Sequence, residues 1–155
     1  SQFTPGCSKS HVPGFLEAAK ELRAKGIDQV YVVSTADGKS KKETQEGLHS
    51  QSTYDKIFNL IPSSYHRTAF VMEAFAQSLG PLAQQQPPAI IFLADGNQAL
   101  TNALGLQMDG TARGMGPRMQ RFAVVVDGKG IIQDVQIDPS GQIKLSRAAN
   151  VLSRL

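Results

Sequence analysis

Apolar residues recur at helical spacing from Pro5 to Lys25, where Val12, Phe15, Leu16, Ala19 and Leu22 share one stripe. Gly26 follows as a stop, and Pro13 predicts a kink in the early part of this helix. The period then changes. From Gln29 to Thr35 a β-branched and aromatic run, Val30, Tyr31, Val32 and Val33, is bounded by Asp37-Gly38 and predicts a buried strand. Helical spacing returns from Thr68 to Leu79, with Val71, Ala74, Phe75 and Leu79 on one side and Gly80-Pro81 as its end. Ala89 to Leu93 predicts another core strand, after which Asp95 is placed to cap a short helix running to Leu104 and a stop at Gly105. Arg121 to Val126 and Ile131 to Ile137 flank the turn Asp127-Gly128-Lys129-Gly130, the pattern of a hairpin. A terminal helix is predicted from Ser146 to Leu155, with Ala148, Val151, Leu152 and Leu155 facing inward.

Two stretches depart from this alternation. Residues 38–67 are rich in Lys, Glu, Gln, Ser and Thr and read as an inserted excursion, with one short helix around Tyr54, Ile57, Phe58, Leu60 and Ile61. Asp109 to Pro117 is Gly-rich and reads as a loop, without the strand-to-helix context of a phosphate cradle. The remaining order is helix, strand, helix, strand, short helix, hairpin, helix: an α/β layered domain. With 155 residues, 41% of them hydrophobic, the chain is expected to form one domain over 1–155. In open α/β folds a helix start that carries chemistry follows a strand, and here that strand would precede Ser1. The natural domain is therefore expected to begin upstream.

Charge changes this picture little. The net charge of +3 is small, and Lys39, Lys41 and Lys42 form the one tight basic cluster, without interleaved aromatics, so a nucleic-acid partner is not expected. No apolar run reaches membrane-spanning length. A single cysteine excludes an intrachain disulfide framework and a cysteine-rich metal centre, and His49 and His66 in the polar stretch show no ligand spacing. No cofactor is called for.

That cysteine lies three positions after Thr4-Pro5, where a helix begins: Thr4 has the hydroxyl of an N-cap, and Pro5 suits the first helical position. Cys7 then falls in the first turn, where unpaired N–H groups and the positive end of the helix dipole favour a thiolate. An ordinary thiol of pKa about 8.5 is only roughly 5% ionised near neutrality, so ionisation by itself gives about a tenfold gain. Rapid thiol chemistry also needs fixed donors for the charge that develops on a leaving group. A cation from elsewhere in the chain is required. His11, one turn after Cys7, could tune it, but reads more simply as a surface or structural histidine.

The segment Phe3-Thr4-Pro5-Gly6-Cys7-Ser8-Lys9-Ser10-His11-Val12-Pro13-Gly14-Phe15 resembles the peroxidatic-cysteine segment of peroxiredoxins, in the group related to peroxiredoxin five and the plant type II enzymes. Phe92-Leu93-Ala94-Asp95, Ala103-Leu104-Gly105-Leu106, Arg121 to Gly128 and Ala149-Asn150-Val151-Leu152-Ser153 resemble the same group in the same order. The resemblance implies a thioredoxin-like fold, a central mixed sheet flanked by helices with its first strands missing from this chain. It also implies reduction of hydrogen peroxide and alkyl hydroperoxides. Cys7 would be the nucleophile, Thr4 would orient the peroxide, and Arg121 would stabilise the thiolate and the leaving oxygen.

The family motif usually carries a proline upstream of the threonine, beyond the start of this sequence. Where two-cysteine members have their second cysteine this chain has Leu145, which implies a one-cysteine cycle with an external thiol reductant: glutathione, glutaredoxin or thioredoxin. A homodimer is the assembly the family implies. The alternative is a non-catalytic thioredoxin-fold module serving as redox sensor or dimer partner. A cytoplasmic location is expected, although Ser153-Arg154-Leu155 resembles a peroxisomal address.

Overall fold

The computed structural model describes residues 3–35, 70–80, 89–139 and 141–155. The excursion expected at 38–67 lies outside the described residues. The first helical stretch is not continuous. It divides into a π-helical turn, Cys7–His11, then α1, Val12–Glu17, and α2, Ala19–Ala24. Pro13 has no N–H to close the regular ladder, and the turn ahead of it widens so that the Val12 N–H reaches the Cys7 carbonyl. Gly26, at φ +90°, ends α2 in a conformation that a side chain would oppose, and the Ile27 N–H closes back onto the Leu22 carbonyl at 3.0 Å.

Strand β1, Gln29–Ser34, pairs in parallel with β2, Ala89–Ala94, with Gln29 opposite Ala89 and Ser34 opposite Ala94. Successive residues of β2 point to opposite faces, and both Phe92 and Leu93 are buried. Its continuous apolar run is what a strand covered on both sides requires. Between them in the chain, α3, Phe70–Ser78, buries Met72 and Phe75. Met72 takes the inward position that the sequence reading gave to Ala74, which is exposed. Counting back three residues from Phe75 lands on the longer side chain, and the fold uses it to fill the gap.

Val12, Leu16, Met72, Phe75 and Phe92 form the core, with Cys7, Val32, Leu79 and Ile90 packed against it. Each such side chain contributes about 1.5–3 kcal/mol by leaving water. The cysteine therefore stands on the wall of the core itself.

Asp95 is buried, and its carboxylate accepts from the N–H groups of Leu100 and Thr101 and from the Thr101 hydroxyl at 3.2, 2.9 and 2.7 Å. It thereby caps α4, Ala99–Ala103, across the intervening turn. The Gly-rich stretch is the expected connection, running from Gly110 to Gly116, and the sequence pattern did not mark the two short strands that flank it. Strands β3, Gln107–Asp109, and β4, Pro117–Met119, pair antiparallel around a short 3-10 turn at Thr111–Arg113. Three-residue strands carry too few positions to display an alternation.

The expected hairpin is present as β5, Phe122–Val126, and β6, Ile132–Ile137, and its turn is tied by Asp127, which accepts from the N–H groups of Lys129 and Ile131. Helix α5, Ala148–Leu152, buries Ala148, Val151 and Leu152. Leu155 is exposed, because the helix ends before its inward face can recur there. Among the described residues the sheet consists of separate pairs, β1–β2 parallel and β3–β4 and β5–β6 antiparallel. β1 and β5 both line a largely apolar cleft of about 770 Å³, with Cys7 and His11 also on its wall.

Candidate active site

The Cys7 turn is fixed at both ends. On the N-terminal side Phe3 holds a left-handed backbone at φ 57°, costly for a bulky residue, while its ring packs edge-on against Phe75 with centroids 5.3 Å apart. Next, the Thr4 carbonyl accepts from the Ser8 N–H at 3.0 Å and the Ser8 hydroxyl at 2.8 Å. The Thr4 hydroxyl hydrogen-bonds the Cys7 sulfur. Gly6 allows a close approach, since a Cβ there would lie 2.8 Å from Ile143 Cδ1 and 3.5 Å from Arg121 Nη2.

Arg121 enters from the other end of the chain, one residue before β5. Its backbone carbonyl accepts from the Asp138 N–H at 2.9 Å, which ties its position to the end of β6. The guanidinium Nη1 lies 3.3 Å from Cys7 Sγ and 3.2 Å from His11 Nδ1. Thr4, Cys7 and Arg121, separated by up to 117 positions in the sequence, are thus gathered at one sulfur. Leu145 is exposed, and its N–H goes to Asp138.

His11 is no free surface residue. Its Nε2 lies 2.9 Å from both the carbonyl and the hydroxyl oxygen of Ser146, and its ring meets Phe15 edge-on at 5.7 Å. The Ser146 hydroxyl donates to Asp138, whose buried carboxylate also accepts from the N–H groups of Lys144, Leu145 and Ser146. Sequence reasoning missed Asp138 and Ser146 altogether. The position of His11 four residues after Cys7, on one helical face, was the signal available. Nothing local to Asp138 or Ser146 marks them.

The electrostatics follow from this geometry. Burial pushes the Cys7 thiol up, whereas the Thr4 hydrogen bond and the Arg121 charge act against it, and the balance lies below the ordinary thiol value. Burial also lowers His11, with Arg121 acting in the same sense and the Ser146 bond and the Asp138 charge opposing. For Asp138 burial alone would raise the carboxyl, yet the Ser146 hydroxyl and three backbone N–H groups keep it below its usual range. A half-buried cysteine sulfur, a guanidinium and a hydroxyl around one point can hold a small polar molecule and stabilise charge that develops on it.

The Redoxin family profile matches residues 1–152. The chain belongs to the peroxiredoxins, which are thiol-dependent peroxidases. Its relatives include rice peroxiredoxin-2C, 33% identical over 99% of this chain and 72% of that protein. Rice chloroplastic peroxiredoxin-2E-2 is 34% identical over 99% of this chain, which spans about half, 53%, of that longer relative. Among solved structures, reduced Prx3 of Vibrio vulnificus in complex with hydrogen peroxide superposes with a TM-score of 0.70 at 28% identity, covering 100% of this chain and 76% of the other. The thioredoxin-like α/β fold follows from these matches.

Among the described residues no cluster of His, Cys, Asp or Glu could hold a metal ion, and no helix is long and apolar enough to cross a membrane. The comparisons lend no support to a peroxisomal address. In the structure Arg154 of that tripeptide forks onto Asp134 of β6, with Nη2 at 2.6 Å and Nε at 3.0 Å.

Proposed function

We propose that this chain reduces hydrogen peroxide and alkyl hydroperoxides by a one-cysteine cycle in which Cys7 is the nucleophile. The observation that supports it best is the 3.3 Å approach of the Arg121 guanidinium to the Cys7 sulfur. The thiolate attacks the terminal peroxide oxygen, a sulfur–oxygen bond forms, and the oxygen–oxygen bond breaks. The leaving alkoxide or hydroxide takes a proton from solvent, and Cys7 is left as the sulfenic acid. Arg121 offsets the charge on sulfur before the step and on the departing oxygen during it, while the Thr4 hydroxyl orients the peroxide. The chain contains one cysteine, so the sulfenic acid is resolved by an outside thiol, which releases water and forms a mixed disulfide. A second thiol then frees Cys7 and leaves as the external disulfide; glutathione, glutaredoxin and thioredoxin are the donor classes.

A homodimer and a single domain over 1–155 belong to the same proposal, read out by sedimentation and limited proteolysis. The test of the chemistry is peroxide consumption with each donor, alongside intact mass after one equivalent of peroxide. Wild type is expected to turn over and to gain one oxygen at Cys7, and Cys7→Ser to do neither. Normal turnover by Cys7→Ser would refute the reading. Wild-type protein that gains no oxygen would mark a non-catalytic module.

A further inference from the structure

His11 is bound on both ring nitrogens, and each partner allows one direction only. Arg121 Nη1, 3.2 Å from Nδ1, can donate but not accept, so Nδ1 must be the acceptor. The Ser146 carbonyl, 2.9 Å from Nε2, can accept but not donate, so Nε2 carries the hydrogen. The Ser146 hydroxyl gives its own proton to the Asp138 carboxylate and therefore meets Nε2 as an acceptor too. These bonds are mutually consistent for one species: a neutral imidazole protonated at Nε2.

The same Nη1 that binds His11 also binds Cys7, at 3.3 Å. That nitrogen has two hydrogens fixed in the guanidinium plane, so directing one of them at Nδ1 determines where the other points. We propose that His11 is a positioning residue: by accepting one Nη1 hydrogen it aims the other at the Cys7 sulfur, and Asp138, through Ser146, holds the imidazole in the orientation that does so. This rests on Cys7 being the nucleophile. Among the described residues, the charged groups that act on His11 are Arg121 ahead of β5 and Asp138 after β6, with Cys7 on its own helical stretch. A proton added at Nδ1 would set donor against donor and cation against cation, and would turn Arg121 away from sulfur. The device therefore requires the neutral ring.

The experiment compares wild type, His11→Phe, which keeps a ring but has no acceptor, and His11→Asn, which returns an acceptor oxygen near the Nδ1 position. The rate of Cys7 oxidation by hydrogen peroxide is followed by quench and intact mass across pH, with Cys7→Ser as control. His11→Phe is expected to slow oxidation about tenfold, equivalent to ~1.4 kcal/mol of transition-state stabilisation, and His11→Asn to recover about half of that loss on the free-energy scale. The wild-type rate should show an additional fall on the acid side, where the imidazole takes a proton, and His11→Phe should lack it. Nitrogen NMR of histidine-labelled wild type, which needs no variant to fold, should show a neutral ring with its hydrogen on Nε2. Equal rates for wild type and folded His11→Phe with an inert Cys7→Ser, or a hydrogen found on Nδ1, would overturn this inference alone. An active Cys7→Ser would overturn the nucleophile reading and this inference with it.

Discussion

Replacing Arg121 by Gln removes the charge that the fold brings to Cys7 and keeps much of the side-chain volume. At 3.3 Å, and with an effective dielectric near 20, the bare attraction between guanidinium and thiolate is about 5 kcal/mol. Most of that is cancelled by desolvation of the two groups. The net worth of a hydrogen bond to a charged group is about 1.5–3 kcal/mol, so the second-order rate of Cys7 oxidation should fall on the order of 10- to 100-fold.

Two assays separate the sources of this loss. Alkylation by iodoacetamide reads chiefly the thiolate fraction, whereas oxidation by peroxide also reads the charge developing on the leaving oxygen. Arg121→Gln should therefore slow oxidation more than alkylation. The pH dependence has a defined sign. The folded thiol is held below its ordinary value by partners that outweigh burial, so the folded state sheds this proton at a pH where the unfolded state keeps it. That contribution to stability is full above the unfolded value, near pH 8.5, and is lost as pH falls through the folded one. Arg121→Gln should narrow this window. A fall in oxidation rate of less than about threefold, in a variant with unchanged melting temperature, would refute the reasoning, because it would leave less than ~0.7 kcal/mol for the guanidinium to supply.

Gly6→Ala would place a methyl group 2.8 Å from Ile143 and 3.5 Å from the Arg121 guanidinium, so Ile143 or the Cys7 turn must move. The expected outcome is a loss of about 1–3 kcal/mol in urea unfolding together with slower Cys7 oxidation; an unchanged midpoint and rate would show that the approach is not tight. Asp138→Ala would leave three backbone N–H groups and the Ser146 hydroxyl without their carboxylate, in a site only 1% exposed. The cost should be about 2–4 kcal/mol, read as a lower denaturation midpoint. Because the folded carboxyl is lowered, the wild-type stability from Asp138 is present above the ordinary carboxylate value, near pH 4, and disappears as pH falls through the folded value. The variant's deficit should accordingly shrink in acid, and a deficit constant down to pH 2 would contradict the assignment.

The sequence determined by itself those features that neighbours along the chain enforce. Helical spacing marked Val12, Leu16 and Phe75 as core residues, β-branched runs marked β1 and β2, and Asp127-Gly128 marked the turn between β5 and β6. The Phe3-to-Phe15 motif singled out Cys7, because residue types at fixed short spacing carry that information. The family resemblance named Arg121 as a partner of the sulfur, but no spacing along the chain places it there, and the tertiary structure does. Arg121 reaches Cys7 across 114 positions, and His11 reaches Ser146 across 135. It also turned Met72 rather than Ala74 into the core and paired the short strands β3 and β4 on either side of the glycine-rich connection. The physical reason is the same in each case. Local periodicity is set by bond geometry within a few residues, whereas the partners of a buried charge or a core gap depend on which distant segments packing brings within 4 Å.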